Sequence, residues 1–156
     1  MSQYKVLFVC IGNACRSQMA EGFGRAYGGD VMETKSAGLS PAVTVPSLTR
    51  QVMLEKNVPI DGQFPKGIEV YFNTPFDVVV NMSQQELPRQ FKPNSRPWTV
   101  ADPFGQSAGI YRQVRDEIEN QVMRLILELR RLRDTGGAKP TPPPPPPPPV
   151  RKFGLF

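Results

Sequence analysis

Lys5-Val6-Leu7-Phe8-Val9-Cys10-Ile11-Gly12-Asn13-Ala14-Cys15-Arg16-Ser17 runs an apolar strand straight into a cysteine, a loop of small residues and an arginine that opens a helical pattern. Such an apolar run, bounded by turn residues, reads as a strand buried in a sheet, and Gly12 and Asn13 suit tight or left-handed backbone. A passage from strand to loop to helix aims backbone N–H groups and the positive end of a helix dipole at one spot, which favours an anion. For a thiol the anion is the nucleophile. Cys10 is therefore read as a nucleophile, not as one more buried cysteine.

The rest of the composition narrows how such a cysteine can work. The chain has 156 residues and no histidine, which excludes Cys-His and Ser-His pairs and any histidine-based metal site. Activation must come from backbone dipoles and arginine, and neither a metal nor a cofactor is expected. Two cysteines in the whole chain fit a reducing compartment better than a disulfide scaffold. No apolar run approaches the roughly 18 residues that span a bilayer, and Met1-Ser2-Gln3-Tyr4-Lys5 followed at once by a strand is unlike a secretory leader. A soluble, cytoplasmic protein with no membrane role is expected.

The net charge of +5 is unevenly spread. Residues 1–135 hold sixteen basic against fourteen acidic side chains, and residues 136–156 hold three basic and none acidic. The folded part is thus nearly balanced, without the clustered basic face of a nucleic-acid binder, and no nucleic-acid partner is expected.

Short apolar runs separated by helical patterns indicate an α/β domain with a parallel sheet. Strands are expected over Tyr4 to Cys10, Val31 to Ser36, Phe76 to Met82 and, more weakly, Pro97 to Val100. A helix is expected over Arg16 to Tyr27, with Met19, Ala20, Phe23 and Ala26 on its apolar face and Gly28-Gly29 as its stop. A short second helix has Pro46 at an early position and Leu48, Val52 and Met53 or Leu54 inward. A long last helix starts from a Ser107 cap and runs to Arg133. Its apolar set is Ile110, Val114, Ile118, Val122, Leu125, Ile126, Leu129 and Leu132.

After Asp134-Thr135-Gly136-Gly137 the chain changes character, and Pro142 to Pro149 form an unbroken proline run. Proline has no N–H to give a helix or a ladder, so this run is expected to be polyproline II. The domain is placed at 1–135 and a proline-rich tail at 136–156. Pro146 to Arg151 fits the PxxPxR form read by SH3-type grooves, so a proline-binding module is an expected partner of the tail.

A nucleophile in an anion cradle suits a phosphate ester or an oxyanion of similar shape. The N–H groups of Ile11, Gly12, Asn13, Ala14, Cys15 and Arg16 would hold the three non-bridging oxygens. Arg16 would add a planar bidentate donor, which a lysine could not match. Ser17 is placed either to donate to the thiolate or to cap the helix. Expulsion of a phenol or alcohol needs a proton. Asp102, before the turn Pro103-Phe104-Gly105 and beyond the fourth strand, can present a carboxyl group at the strand ends where α/β sheets bind ligands.

Cys10-Ile11-Gly12-Asn13-Ala14-Cys15-Arg16-Ser17, Ser36-Ala37-Gly38 and Asp102-Pro103 together resemble the low-molecular-weight protein tyrosine phosphatases and the arsenate reductases that share their fold. The resemblance covers residues 4 to about 133. It implies a phosphocysteine at Cys10, a phosphate clamp at Arg16, and Asp102 as acid and then base. Asn13 would shape the loop, Ser17 would assist the thiolate, and Cys15 is similar to a redox guard of the nucleophile. Phe104 would be an aromatic wall, whereas Leu39-Ser40-Pro41 offers no aromatic on the other side. Arg16 to Gly22 and Ser36 to Pro41 read closer to the reductases, yet Val80 to Glu86 lacks the later cysteines of the thioredoxin-coupled enzymes.

The sequence thus leads to a flavodoxin-like, four-stranded parallel sheet flanked by helices, carrying a metal-independent cysteine phosphatase. Its substrate would be a phosphorylated protein, through phosphotyrosine, or a small aryl phosphate. One alternative is an arsenate reductase served by an external thiol such as glutathione or mycothiol. Another is an oxyanion-sensing binding module with a partner-recruiting proline tail.

Overall fold

A computed structural model describes residues 3–140 of the chain. The proline run and the expected docking motif lie outside the described residues. Four parallel strands, β1 (Tyr4–Cys10), β2 (Met32–Gly38), β3 (Val78–Asn81) and β4 (Ser95–Pro97), make one sheet in the order β2-β1-β3-β4. Three helices, α1 (Arg16–Gly28), α2 (Ser47–Leu54) and α3 (Ala108–Asp134), complete the α/β fold. Parallel pairing brings every strand's carboxyl end to the same edge, where Cys10 lies opposite Gly38 in the β1–β2 register.

Alternation along β1 divides the core in two. Val6, Phe8 and Cys10 face a cluster shared with α1, α2 and α3, while Leu7 and Val9 face a smaller one with Ala37, Ile68, Phe76, Val79, Leu87 and Phe91. This explains why β1 is apolar from Val6 to Cys10, since neither face meets water there, whereas Lys5 at its start is exposed. The smaller cluster is closed by loops and two single helical turns, Ile68–Tyr71 and Arg89–Phe91, which have no amphipathic period in the sequence. Helices α1 and α3 meet where Gly28 faces Ile126. A Cβ at Gly28 would stand 2.8 Å from the Ile126 side chain, closer than packed carbons come.

Several element edges differ from the sequence expectation. β2 continues to Gly38, because its pairing with β1 extends as far as Cys10. β3 keeps only the inner part of Phe76 to Met82. β4 lies at Ser95–Pro97 instead of Pro97 to Val100; Trp98 N–H still reaches the Asn81 carbonyl at 3.0 Å, but the Val100 carbonyl turns to the guanidinium of Arg16. In α1, Ala26 is exposed and Tyr27 instead packs on Phe23, with ring centroids 5.7 Å apart. Pro46 is the residue before α2, its carbonyl accepting from Thr49 N–H at 3.0 Å. Within α2, Val52 and Met53 are buried and Leu54 is exposed. Ser107 caps α3 by accepting from Ile110 N–H at 3.4 Å.

The C-terminal end of α3 runs past its last turn through Gly136 and Gly137, both at positive φ. Tyr4 Oη then donates to the Ala138 carbonyl at 3.0 Å, so the chain leaves at the end of the sheet opposite Cys10. Among the described residues no helix is long and apolar enough to cross a membrane.

The packing of α3 gives a direct test. Ile126 is fully buried against α1 whereas its neighbour Leu127 is exposed. Ile126→Ala is expected to lower the unfolding free energy by about 2–5 kcal/mol, and Leu127→Ala to change it by about 0.5 kcal/mol or less, as read by urea denaturation.

Candidate active site

The strand β1 ends at Cys10, α1 begins at Arg16, and the loop between them closes round a cavity of about 200 Å³. Cys10, Ile11, Gly12, Ala14, Cys15 and Arg16 form its floor and sides, and Ala42, Asp102 and Phe104 stand at its wall and mouth. Among the described residues none of the N–H groups of Ile11, Gly12, Asn13, Ala14 and Cys15 finds an acceptor within the protein. Five successive donors without acceptors beside a cavity and a helix start form a site for an anion.

Asn13 and Ser17 belong to this site without lining the cavity, because both side chains are buried behind the loop. Asn13 has φ 48°, a left-handed conformation that asparagine tolerates better than most residues. Its amide donates to Ser17 Oγ at 2.7 Å and Ser36 Oγ at 3.0 Å, and its Oδ1 accepts from Gln18 Nε2 at 3.1 Å and Lys66 N–H at 3.0 Å. Ser36 in turn donates to Glu21 Oε1 at 2.6 Å. Ser17 Oγ lies 2.9 Å from Cys10 Sγ. Because the Asn13 amide fills an acceptor position on Ser17, the serine proton is free for the sulfur, and against a thiolate Ser17 can act only as the donor.

The guanidinium of Arg16 is buried and held from behind. Its Nη1 donates to the Val100 carbonyl at 3.1 Å, to Gln84 Oε1 at 3.2 Å and to the Met82 carbonyl. Its Nη2 lies 3.6 Å from Asp102 Oδ2. Asp102 is half-exposed, and its other carboxylate oxygen accepts from Phe104 N–H at 3.1 Å, which fixes it over the mouth. Phe104 is exposed, and it and Ala42 both line the cavity.

Cys15 differs chemically from Cys10. Both are free thiols, but burial pushes the Cys15 thiol up from its ordinary range. Thr49 Oγ1 donates to its sulfur at 3.4 Å, and the sulfur donates to Tyr111 Oη at 3.7 Å. Burial likewise pushes the Tyr111 hydroxyl up, so both groups stay protonated near neutrality. Among the described residues no group of three or more carboxylates and thiols is gathered where it could hold a metal ion.

The structure therefore brings Cys10, Ile11, Gly12, Ala14, Cys15, Arg16, Asp102 and Phe104 round one cavity and puts Asn13 and Ser17 directly beneath it. Sequence reasoning missed the partners that hold these groups: Gln84, Ser36 as the acceptor for Asn13, Glu21, Lys66, and the carbonyls of Met82 and Val100. Gln84 has φ 56° and follows β3 closely. It sits in the stretch Val80 to Glu86, where a lone glutamine carries no periodic or motif signal.

Comparison with known proteins gives a consistent setting. Residues 5–135 match the family described as low molecular weight phosphotyrosine protein phosphatase. A glutaredoxin arsenate reductase of Synechocystis sp. is 34% identical over 129 residues, covering 80% of this chain and 98% of the relative. A solved arsenate reductase in the phosphate binding state is 34% identical, with TM-score 0.77, covering 81% of this chain and 99% of that one. An arginine phosphatase from Geobacillus stearothermophilus is 26% identical, with TM-score 0.77, covering 85% and 97%.

The contrast between the two thiols is directly measurable. Iodoacetamide at pH 7.5 is expected to add one carbamidomethyl group, on Cys10, as located by peptide mass spectrometry. In Cys10→Ser, Cys15 should remain unmodified on the same timescale. Its reaction should quicken only as the pH rises above the ordinary thiol range or the chain unfolds, because a raised thiol pKa keeps the unreactive neutral form.

Proposed function

The chain belongs to the low molecular weight phosphotyrosine protein phosphatase family, and on that premise we propose that it is an arsenate reductase that draws on an external low-molecular-weight thiol such as glutathione or mycothiol. The observation that carries the choice is the cavity: about 200 Å³, beside five N–H groups that find no acceptor among the described residues, and lined by the Arg16 side chain, by the small residues Gly12, Ala14 and Ala42, and by Phe104. This is room for a tetrahedral oxyanion and a slender second nucleophile, with only one aromatic side chain to grip an aryl ester. The similarity to arsenate reductases at 34% identity supports the same reading.

The source of reducing power follows from the thiols. The sequence holds Cys10 and Cys15 and no other cysteine, and Cys15 is buried and protonated. A relay through later cysteines is therefore absent, and the second thiol must come from outside.

The residues define a balanced sequence of steps. Cys10 Sγ, receiving the Ser17 proton as a hydrogen bond, attacks arsenic while a hydroxyl leaves as water on a proton from Asp102. The loop N–H groups and Arg16 hold the remaining oxygens as charge shifts onto them. An external thiol enters by the open face, opposite Cys10, loses its proton to Asp102 and attacks arsenic, and Cys10 departs as thiolate. A second thiol then attacks the sulfur of the released thiol–arsenate adduct. A disulfide forms, the electron pair of the sulfur–arsenic bond stays on arsenic, the thiol's proton passes to an arsenic-bound oxygen, and arsenite is the product. Two external thiols are oxidised for each arsenate reduced, and Cys10 ends unchanged.

A second reading rests on Asp102. A half-exposed carboxyl 3.6 Å from the Arg16 guanidinium at the mouth is also where a leaving alcohol or phenol would take its proton, with water replacing the thiol in the second step. That is cysteine phosphatase chemistry on phosphotyrosine or a small aryl phosphate, and the similarity to an arginine phosphatase is in keeping with it. A sensing module would have no use for the acid. A cytoplasmic, reducing setting fits both readings.

The test is arsenite formation with glutathione or mycothiol as the only reductant, beside metal-free hydrolysis of an aryl phosphate. Arsenate reduction is expected to exceed hydrolysis, to vanish in Cys10→Ser and to fall by about 10²–10⁴-fold in Asp102→Asn. Faster hydrolysis than reduction would make the protein a phosphatase. Arsenate reduction surviving in Cys10→Ser would sink the mechanism.

A further inference from the structure

The segment that follows β2, Leu39 to Ala42, runs alongside the loop between β1 and α1. Leu39 N–H donates to the Cys10 carbonyl at 3.1 Å, Ser40 N–H to the Ile11 carbonyl at 2.8 Å and Ala42 N–H to the Gly12 carbonyl at 2.8 Å. A peptide unit is planar and trans, so its C=O and the N–H of the next residue point in opposite directions. Fixing the carbonyls of Cys10, Ile11 and Gly12 on this segment therefore turns the N–H groups of Ile11, Gly12 and Asn13 away from it. These are three of the five donors that have no acceptor among the described residues.

We propose that Leu39 to Ala42 is a positioning strap for the oxyanion cradle, and that the Ala42 N–H is its principal bond because Ala42 also walls the cavity. The proposal rests on the anion-binding reading of the loop given above. Two further observations agree with it. Gly38 lets the strap approach, since a Cβ there would stand 2.7 Å from the Ile11 carbonyl oxygen and 2.8 Å from Asn13 N. The loop is tied a second time where Asn13 Oδ1 accepts from Lys66 N–H at 3.0 Å, and the Lys66 carbonyl accepts from Gly38 N–H at 2.9 Å. The loop is thus held both by its carbonyls and by an asparagine side chain, and its donors are left for a ligand.

The strap touches no substrate oxygen through its own N–H groups, so its effect must appear in anion affinity without loosening the thiol's surroundings. Replacing Ala42 by L-lactic acid in a semisynthetic chain exchanges that one N–H for an ester oxygen and leaves the methyl wall in place. The control is the corresponding ester at Val43, whose side chain is exposed and whose N–H has no acceptor among the described residues. Inorganic phosphate binding is read from protection of Cys10 against iodoacetamide.

The residue-42 ester is expected to weaken phosphate binding by about five- to tenfold, the worth of one hydrogen bond, with the control near the unmodified chain. The alkylation rate without phosphate should not rise. Unchanged phosphate affinity would overturn the strap, and so would a severalfold faster alkylation, which would mark a purely packing role. An unmodified chain that does not bind phosphate would overturn the cradle itself and the strap with it. If the residue-42 ester does not fold, the ester at Ser40 reads the same effect through the Ile11 carbonyl.

Discussion

The structure depends on a run of backbone N–H groups that find no protein acceptor among the described residues. Buried backbone donors are almost always paired, with protein or with water. Ile11 to Cys15 present five such donors in a row beside a small cavity. Left alone, such a loop would twist until its donors met carbonyls, most readily by extending α1 backwards by a turn. What surrounds it prevents that. Asn13 is in the left-handed region, outside the helix conformation, and its side chain is fastened from three directions. The carbonyls that a helix would need are already engaged with Leu39, Ser40 and Ala42.

The parallel sheet provides the frame for this. Its strands end at one edge, so the loop after β1, the strap after β2, Gln84 after β3 and Asp102 beyond β4 converge there with no long-range adjustment. Arg16 shows how tightly the parts are joined. It is the first residue of α1, yet its guanidinium is held by the carbonyls of Met82 and Val100 from the other half of the sheet. One end of the fork is satisfied by protein, and the other is left facing Asp102 and the cavity. A buried cation so arranged is neutralised at the mouth by Asp102 and keeps donors turned toward the cavity, and a planar guanidinium can face both ways where an ammonium could not.

Some of this was legible in the sequence and some was not, for physical reasons. Cys10, Arg16 and Asp102 could be read because a strand, a glycine-containing loop, a helix and an Asp-Pro turn are local signals. The apolar faces of α1 and α3 were readable from periodicity, apart from Ala26 and the buried Tyr111. β4 was displaced because three residues of ladder leave almost no periodic trace, and Trp98 and Val100 are buried whether or not they lie in a strand. Gln84 and Lys66 were invisible because their roles depend on contacts 68 and 53 residues away. The strap was invisible for a different reason: its work is done by main-chain N–H groups, which every residue but proline carries.

Those main-chain groups also explain how one scaffold can serve phosphatases and arsenate reductases. On the proposed reading the cradle would hold a tetrahedral oxyanion by its oxygens, and the bond from the central atom to Cys10 would form in the same way whether that atom is phosphorus or arsenic. The outcome would then be decided by the second nucleophile to arrive: water would return phosphate, whereas a thiol would begin a reduction. In this chain Phe104 and Ala42 both line the cavity, and the sequence holds no third cysteine to reach it from within. On that reading the choice between hydrolysis and reduction would lie in the gap above Cys10 and not in the loop beneath it.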